Sequence, residues 1–240
     1  MSPPKNSPLI ISKKAIKAPT SRIKIKFLRK KSTFLRNKYC RVKINTRRRK
    51  MNGQTINRCP WGDSKNKLMQ EYHDHEWGKL NLDEHYLYEM LVLELFQSGL
   101  SWSTILNKRE NFRKAFKDFD VQQVAQMTDY DVGMLLQDKG IIRNHLKINA
   151  AIKNARAVLK VREEYGSFAK YLQHFIPSPI IHHPEVVDDV PASNELSKKI
   201  SKQMKKDGFF FVGPVIVYSY LQAIGLINDH LERCDFKYRA

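Results

Sequence analysis

Apolar residues that recur at spacings of three and four limit the folds open to this chain more than any other feature does. In "DEHYLYEMLVLELFQSGLS", Leu87, Met90, Leu91 and Leu95 follow this spacing after a predicted helix N-cap at Asp83. Alternation of apolar and polar residues is nearly absent, and the short "GFFFV" is the best candidate for a strand. The pattern predicts an all-α fold of about eight short helices.

The other predicted helices have recognisable ends. Capping patterns at Asp120 and Thr128 predict two short helices. A long helix through "NHLKINAAIKNARAVLKVREEYG" is predicted to stop at Gly166, and the helix in "SNELSKKISKQMKKDG" at Gly208. The segment "SWSTILNKRENFRKAF" is predicted to form one helix. Its cap is Ser101, its apolar stripe is Trp102, Ile105, Leu106 and Phe116, and Phe112 lies at the margin.

The charge of the chain is concentrated at one end. The formal net charge is +19, and residues 1–50 contain 18 Lys and Arg but no Asp or Glu. The remaining residues hold 25 Lys and Arg against 24 Asp and Glu, which leaves them nearly neutral. We therefore predict a disordered, basic extension over residues 1–55 and a folded domain over residues 56–240.

Three explanations of the extension remain open. It could be an arm that tethers DNA or RNA, or a targeting segment rich in arginine and poor in acids. It could also be absent from the mature protein, because Met51 offers an alternative start. If the protein is bacterial, we expect it to be cytoplasmic and associated with the nucleoid. A targeting segment would instead direct it to the nucleus or an organelle.

The composition excludes several classes of protein. No stretch approaches 18 consecutive apolar residues, and no apolar run follows the basic N-terminus, so we predict neither a transmembrane helix nor a signal peptide. The three cysteines do not predict a disulfide framework and favour a reducing, intracellular compartment.

The segment "KKDGFFFVGPVIVYSYLQAIGLINDHLERC" indicates a hairpin between two helices. One helix ends at Gly208, and Gly213-Pro214 begins another that is predicted to run from about Val215 to Leu231. In a helix-hairpin-helix, backbone N–H groups of the turn and the following helix N-terminus hold a DNA phosphate. That motif more usually has two glycines around an apolar residue, whereas Phe211 replaces the first here. A plain helical hairpin is the alternative.

Two cysteines and two histidines have spacings that suit a metal. His230 and Cys234 lie four residues apart near the end of the predicted last helix, and His73 follows Cys59 by 14 residues. Together they would form a Cys2His2 zinc site that joins the two ends of the domain. From spacing alone His75 is a rival to His73, and buried or solvated residues are the alternative for all four.

Five blocks of sequence occur together and in a fixed order. They are "RCPWGDSKNKLMQEYHDHEWG", "LELFQSGLSW", "RENFRKAFKDFD", "GIIRNHLKINAAIKNARA" and "GFFFVGPVIVYSYLQAIGLINDH". The chain resembles the 3-methyladenine DNA glycosylase I family over about residues 58 to 234. The resemblance implies an all-α, helix-hairpin-helix DNA glycosylase domain with one structural zinc ion.

The resemblance also implies a set of site residues. The zinc ligands would be Cys59, His73, His230 and Cys234, which favours His73 over His75. The base pocket would be formed by Glu94, Trp102, Tyr72 and Trp61. Met69 stands where the family usually has an aromatic residue, so the aromatic box is expected to be incomplete. The DNA phosphate would be held at Gly213 and Pro214.

The implied activity is excision of 3-methyladenine from alkylated double-stranded DNA by a monomeric enzyme. A buried Glu94 would read the edge of the flipped base and face its positive charge, and the aromatic rings would stack on it. The implied mechanism is hydrolysis without strand cleavage, because no lysine stands where the lyase-type relatives place theirs. The competing hypothesis is a zinc-stabilised, DNA-binding module without catalysis.

Overall fold

The computed structural model describes residues 50–51 and 54–238, and this part of the chain is mostly helical. The described α-helices are α1 (Lys67–His75), α2 (Glu84–Gln97), α3 (Trp102–Leu106), α4 (Arg109–Ala115), α5 (Val121–Ala125), α6 (Asp129–Gln137), α7 (His145–Tyr165), α8 (Phe168–Phe175), α9 (Glu195–Lys206) and α10 (Pro214–Ala223). Four two-residue strands accompany them: β1 (Lys50–Met51), β2 (Gln54–Thr55), β3 (Ile180–Ile181) and β4 (Ile227–Asn228). Strands β1 and β2 pair antiparallel, and β3 and β4 pair parallel.

Helix α2 lies at the centre of the core. Every residue from Leu87 to Gln97 is buried, because α3, α7, α8 and α10 all pack against this helix. A helix that is apolar on nearly all sides is expected in such a position. Its two buried acids, Glu89 and Glu94, are therefore exceptions that need partners or a function.

Several predicted helix ends are confirmed. The Asp83 side chain accepts a hydrogen bond from the Tyr86 N–H at 2.9 Å, and Asp120 does the same for Gln123 at 2.9 Å. At the end of α7, Gly166 has a φ of +85°, a conformation that L side chains rarely adopt.

The segment after Ser101 forms two helices, so the prediction of one helix is wrong. Helix α3 ends at Leu106, and α4 begins at Arg109 after Lys108 leaves the helical conformation. The Lys108 ammonium donates to the carbonyls of Lys139 and Gly140, which fixes the break between the helices.

The change of direction into α4 also corrects the prediction for Phe112. This ring is fully buried rather than marginal, and its centroid lies 4.7 Å from that of Phe96 in α2. The new helix direction turns Phe112 into the core.

The last helix is shorter than predicted. It ends at Ala223 rather than near Leu231, and Gly225 follows with a φ of +73°. A Cβ atom at Gly225 would lie 2.0 Å from the Lys79 carbonyl carbon, so the chain passes too close to residue 79 for a helix to continue with any side chain there. The chain then enters β4, and His230 and Cys234 lie in the irregular segment after it.

The candidate strand "GFFFV" is also wrong, because residues 208–212 form a turn between α9 and α10. Phe211 has a φ of +56°, which interrupts the extended backbone that a strand requires. The predicted extension over residues 1–55 lies outside the described residues except for 50–51 and 54–55, and the boundary at residue 56 stays a prediction. In the described part, no helix is long and apolar enough to span a membrane.

A partly buried ion-pair network connects α2, α4 and the end of α1. The Arg109 guanidinium contacts the carboxylates of Glu76 and Glu89, each at 2.8 Å, and Arg113 contacts Glu89 at 2.9 Å. Burial alone would raise the pKa of Glu89, but the two guanidinium groups outweigh it and hold the pKa below its ordinary value of 4.5. The stability that this carboxylate contributes is therefore present above pH 4.5 and lost as the pH falls below it.

Replacing Glu89 by glutamine is expected to lower the free energy of unfolding by about 3 kcal/mol at neutral pH, because the partly buried Arg109 and Arg113 lose the charge of their shared, buried partner. The variant should also lose less stability than the wild type when the pH is lowered below 4.5. Urea denaturation at several pH values measures both effects. An equal acid dependence in the two proteins would contradict this assignment.

Candidate metal centre and base-binding site

Two cysteines and two histidines form a buried cluster. The ligand atoms of Cys59, His73, His230 and Cys234 all lie within 4.8 Å of one another. Cys234 Sγ is 3.3 Å from His230 Nδ1 and 3.6 Å from His73 Nε2, and Cys59 Sγ is 3.5 Å from His230 Nδ1. A buried Cys2His2 arrangement of this size could bind a metal ion.

The four residues reach the cluster from distant parts of the chain. Cys59 begins a tight turn in which its carbonyl accepts from the Gly62 N–H, and His73 lies in α1. His230 and Cys234 follow β4, and the Cys234 N–H donates to the Leu231 carbonyl at 2.8 Å. The four predicted ligands therefore come together. A turn, rather than the predicted helix, places His230 and Cys234 on the same side of the chain.

Both imidazole rings are oriented by a second hydrogen bond. His73 Nδ1 is 2.8 Å from the Asp74 carboxylate, which leaves Nε2 facing the cysteines. His230 Nε2 is 2.9 Å from the Trp77 carbonyl oxygen, which leaves Nδ1 facing them. Each ring can thus donate through its outer nitrogen and present a lone pair inward, as metal-binding histidines do.

One of the two thiols, that of Cys234, is shifted toward the form that binds metals. The pKa of Cys234 is lowered, first by its hydrogen bond with Cys59 and then by the nearby His230 and His73 rings, although burial opposes this. The same contact with Cys234, together with burial, raises the pKa of Cys59. The pair therefore favours a thiolate at Cys234, the form that ligates metals.

Sequence reasoning missed the residues that support the cluster. Asp74 holds His73 and is itself held by Arg58 at 2.6 Å. A Cβ atom at Gly62 would lie 2.3 Å from the His73 ring, so only glycine fits beside that ligand. Asp74 and Arg58 stand next to two predicted ligands in the sequence, which is the one local signal that could have identified them.

The other histidines lie outside the cluster. The side chain of His75 is 66% exposed and lies 3.6 Å from Glu71 on the surface of α1. His182 and His183 contact the carboxylates of Asp229 and Glu232 instead. Of the two histidines that spacing left open, the helical geometry of α1 therefore places His73 in the cluster and His75 on the surface.

A row of aromatic rings leads from the cluster to the predicted base site. The Trp61 ring centroid is 4.9 Å from that of His73 and 6.3 Å from that of Tyr72. Tyr72 in turn lies 5.0 Å from Trp102, the first residue of α3. Three of the predicted base-binding residues are thus in one continuous aromatic group, while Met69 is partly buried against the core.

Glu94 is buried on the neighbouring helix. It is 4% exposed and lies in α2, which packs against the helix that carries Trp102. The Trp102 indole Nε1 is also buried, and no described residue accepts a hydrogen bond from it. A buried donor without an acceptor is uncommon, so this N–H is available to donate to a bound molecule.

The chain after Glu94 is held by two buried polar side chains. The Gln97 amide donates to the Leu100 carbonyl at 3.0 Å, so this side chain supports the loop after α2. The Lys147 ammonium donates to the carbonyls of Phe96 and Ser98, and burial lowers its pKa. Lys147 thereby satisfies carbonyl groups at the end of α2, which helps to fix the position of the helix.

Asp229, beside a metal-cluster residue, has three partners of its own. It accepts hydrogen bonds from Tyr218 and Gln222, and His182 lies 2.6 Å away. Because these bonds saturate the buried carboxylate, its contribution is to hold α10 and the segment after it.

A cavity of about 330 Å³ is lined by residues of α6 and α7 and by the 126–129 segment. It shares no lining residue with the predicted base site or with the metal cluster, so it has no part in the chemistry considered below.

Comparisons with known proteins identify relatives of this chain. The family model for methyladenine glycosylase matches residues 61–238. The DNA-3-methyladenine glycosylase 1 of Escherichia coli is 44% identical over 180 residues, covering 75% of this chain and 96% of that protein. The DNA-3-methyladenine glycosylase of Haemophilus influenzae is 40% identical over 181 residues, covering 75% of this chain and 97% of that protein.

A solved structure supports the same relationship. It is a 3-methyladenine DNA glycosylase I from Staphylococcus aureus, described for its recognition of 3-methyladenine. It superposes with a TM-score of 0.74 at 36% identity, covering 77% of this chain and 98% of that one. The fold and the site define a DNA glycosylase-like helical domain. The chain belongs to the methyladenine glycosylase family.

Proposed function

We propose that this protein is a DNA repair glycosylase that flips 3-methyladenine out of alkylated duplex DNA and removes it by hydrolysis. Relatives at 40% and 44% identity are named for this activity, and the chain covers nearly their whole length. The structural observation that carries the proposal is the buried Trp102 indole N–H, which lacks an acceptor among the described residues. Trp102 is on α3, which packs against α2, the helix that carries the buried Glu94.

These two groups complement a methylated adenine. N3-methylated adenine in DNA is a flat cation, which suits both a carboxylate and the faces of aromatic rings. Glu94 can accept a hydrogen bond from the base edge and face its charge, and the Trp102 N–H can donate to a ring nitrogen. Tyr72 and Trp61 form the wall beside them.

The cationic base is already a good leaving group. The enzyme mainly selects and positions the extruded nucleotide, at a cost of a few kcal/mol for flipping. The N-glycosidic bond then breaks, the base leaves as a neutral purine, and water adds to the oxocarbenium-like sugar. No covalent attachment to a lysine is involved, so the DNA strand stays intact.

The hairpin between α9 and α10 is proposed to hold the DNA backbone. Helix α10 begins with Gly213 as N-cap and Pro214 in its first turn, and no side chain caps it. Its first N–H groups and the positive end of its dipole can bind a phosphate without a basic side chain. This mode of binding suits a domain whose residues after position 50 are nearly neutral.

The metal proposed for the cluster is one structural zinc ion. Cys59, His73, His230 and Cys234 supply the two sulfur and two nitrogen ligands of a closed site, which leaves no position for a catalytic water. When bound, zinc contributes folding energy, and it joins the start of the domain to its end. The nearby His73–Trp61–Tyr72 contacts extend this support toward the base site.

Replacing Trp102 by phenylalanine tests the indole N–H. The change keeps an aromatic ring against Tyr72 but removes the donor, so we expect the affinity for free 3-methyladenine to fall about tenfold. Quenching of tryptophan fluorescence by the base, calibrated for the lost indole, measures the dissociation constant. An unchanged affinity would remove Trp102 from the base-binding group.

The activity itself is tested with methylated duplex DNA. The wild-type protein should release free 3-methyladenine, detectable by chromatography, and leave strands that break only after alkaline treatment. Release of no base, with duplex binding intact, would favour the alternative of a zinc-stabilised DNA-binding module and would reject the glycosylase assignment.

A further inference from the structure

The turn between α9 and α10, residues 207–213, is held in an unusual shape. Phe209 and Val212 are buried, whereas Phe210 and Phe211 are 47% and 37% exposed. Phe211 has a φ of +56°, in the left-handed region that favours glycine. An aromatic residue in this conformation persists only where surrounding contacts impose it, and such strain is concentrated at functional sites.

The contacts that impose it come from Asn154. This residue lies in α7 and is fully buried. Its side-chain oxygen accepts from the Phe210 N–H at 2.7 Å, and its amide nitrogen donates to the Phe210 carbonyl at 3.1 Å. One side chain thus fixes both backbone groups of the residue that precedes the strained position.

A second side chain fixes the other end of the turn. The Ser201 hydroxyl of α9 donates to the Val212 carbonyl at 2.6 Å, and Ser201 is also buried. The bonds from Asn154 and Ser201 lie on either side of Phe211. Together they determine where Gly213 and the uncapped N-terminus of α10 begin.

We propose that Asn154 is a positioning residue for DNA binding, acting through the hairpin turn. The inference rests on the proposed function, in which this turn and the α10 N-terminus hold a phosphate. Asn154 is neutral and buried, so it has no direct contact with DNA, and its influence passes through the backbone of Phe210. Backbone N–H groups bind a phosphate only when the main chain itself has the right shape.

The matched comparison uses two asparagines of α7. Asn154→Ala removes both hydrogen bonds to the Phe210 backbone. Asn149→Ala instead removes an amide whose hydrogen bonds to described residues go to His145, four residues earlier in the same helix. With the full chain, we expect Asn154→Ala to weaken binding to undamaged duplex DNA about tenfold, measured by fluorescence anisotropy. Asn149→Ala should bind as the wild type does.

Binding of the free base separates positioning from general damage to the fold. The dissociation constant for 3-methyladenine should stay within twofold of the wild-type value in Asn154→Ala, because its predicted pocket lies on α1, α2 and α3. In the same variant, single-turnover excision should need a higher DNA concentration for saturation, because DNA binding is weaker, but it should reach a similar maximal rate. A parallel loss of base binding and DNA binding would overturn the positioning role.

Ser201→Ala provides a second variant if Asn154→Ala does not fold. It breaks the bond to Val212 at the opposite end of the turn and is expected to weaken duplex binding in the same direction. Wild-type duplex affinity in a folded Asn154→Ala, or in Ser201→Ala when it alone folds, would refute the inference. Absence of base release by the wild type would instead contradict the proposed function, and the comparison of duplex affinities would still decide the role of Asn154.

Discussion

Glu94→Gln is expected to reduce the rate of 3-methyladenine release from alkylated duplex DNA by at least about a hundredfold. The substitution keeps the size of a side chain that is 4% exposed, but it removes the negative charge that we propose faces the cationic base. Because water is largely excluded from such a position, the lost electrostatic interaction is large. Single-turnover release of the base at saturating enzyme measures the effect.

The same variant separates two roles for the carboxylate. If Glu94 only recognises the lesion, the affinity for free 3-methyladenine and the apparent affinity for damaged DNA fall together, and the maximal rate changes little. If it stabilises the oxocarbenium-like transition state, the maximal rate falls while binding of the free base is largely kept. Unchanged excision by Glu94→Gln would exclude both roles.

Glu89→Gln is the matched control for Glu94→Gln. Both glutamates are buried in α2, but Glu89 is bound by Arg109 and Arg113, away from the aromatic row. The Glu89 variant should lose stability and keep its excision rate at temperatures where it is folded. The Glu94 variant should show the reverse, so that loss of a buried charge in itself cannot explain a loss of activity.

The features that sequence predicts well are those with local causes. The caps at Asp83 and Asp120 and the stop at Gly166 depend on a few neighbouring atoms, and the structure confirms them. The expected burial of Glu94 is also confirmed. Spacing suggested the four metal ligands, but residues so far apart in sequence cannot be paired from spacing alone. Family resemblance supplied the pairing and favoured His73 over His75.

The errors arise from contacts between distant segments. The sequence around Gly225 reads as helix, and only its close approach to Lys79 explains why α10 stops. His230 and Cys234 were predicted to meet because they lie four residues apart on a helix, but a turn brings them together instead. In the sequence, Asn154 is one of several polar residues of an amphipathic helix. Its hydrogen bonds to the backbone of Phe210 depend on the packing of two distant segments, so the sequence does not predict them.

Cys234→Ser is expected to reduce bound zinc from one ion per chain to nearly none and to lower the free energy of unfolding by about 4 kcal/mol. Serine is a much poorer zinc ligand than a thiolate. Loss of the Cys234 sulfur also leaves His73 and His230 buried without their sulfur partner. Metal analysis by mass spectrometry and thermal denaturation measure the two effects. For a domain of this size, the melting temperature should fall by about 10 °C.

His75→Ala is the control for the metal, because His75 lies two residues from His73 but its side chain is 66% exposed. This variant should keep one zinc ion per chain and a wild-type melting temperature, whereas His73→Ala should behave as Cys234→Ser does. Zinc loss in His75→Ala would contradict the proposed ligand set, and equal, near-zero zinc in the wild type and Cys234→Ser would reject a zinc site altogether. A zinc site that behaves as expected would explain why the segment from Arg58 to Trp77 contains metal ligands beside aromatic residues of the proposed base site. The ion would fix the position of His73. The contacts from His73 through Trp61 and Tyr72 would then help to fix the position of Trp102.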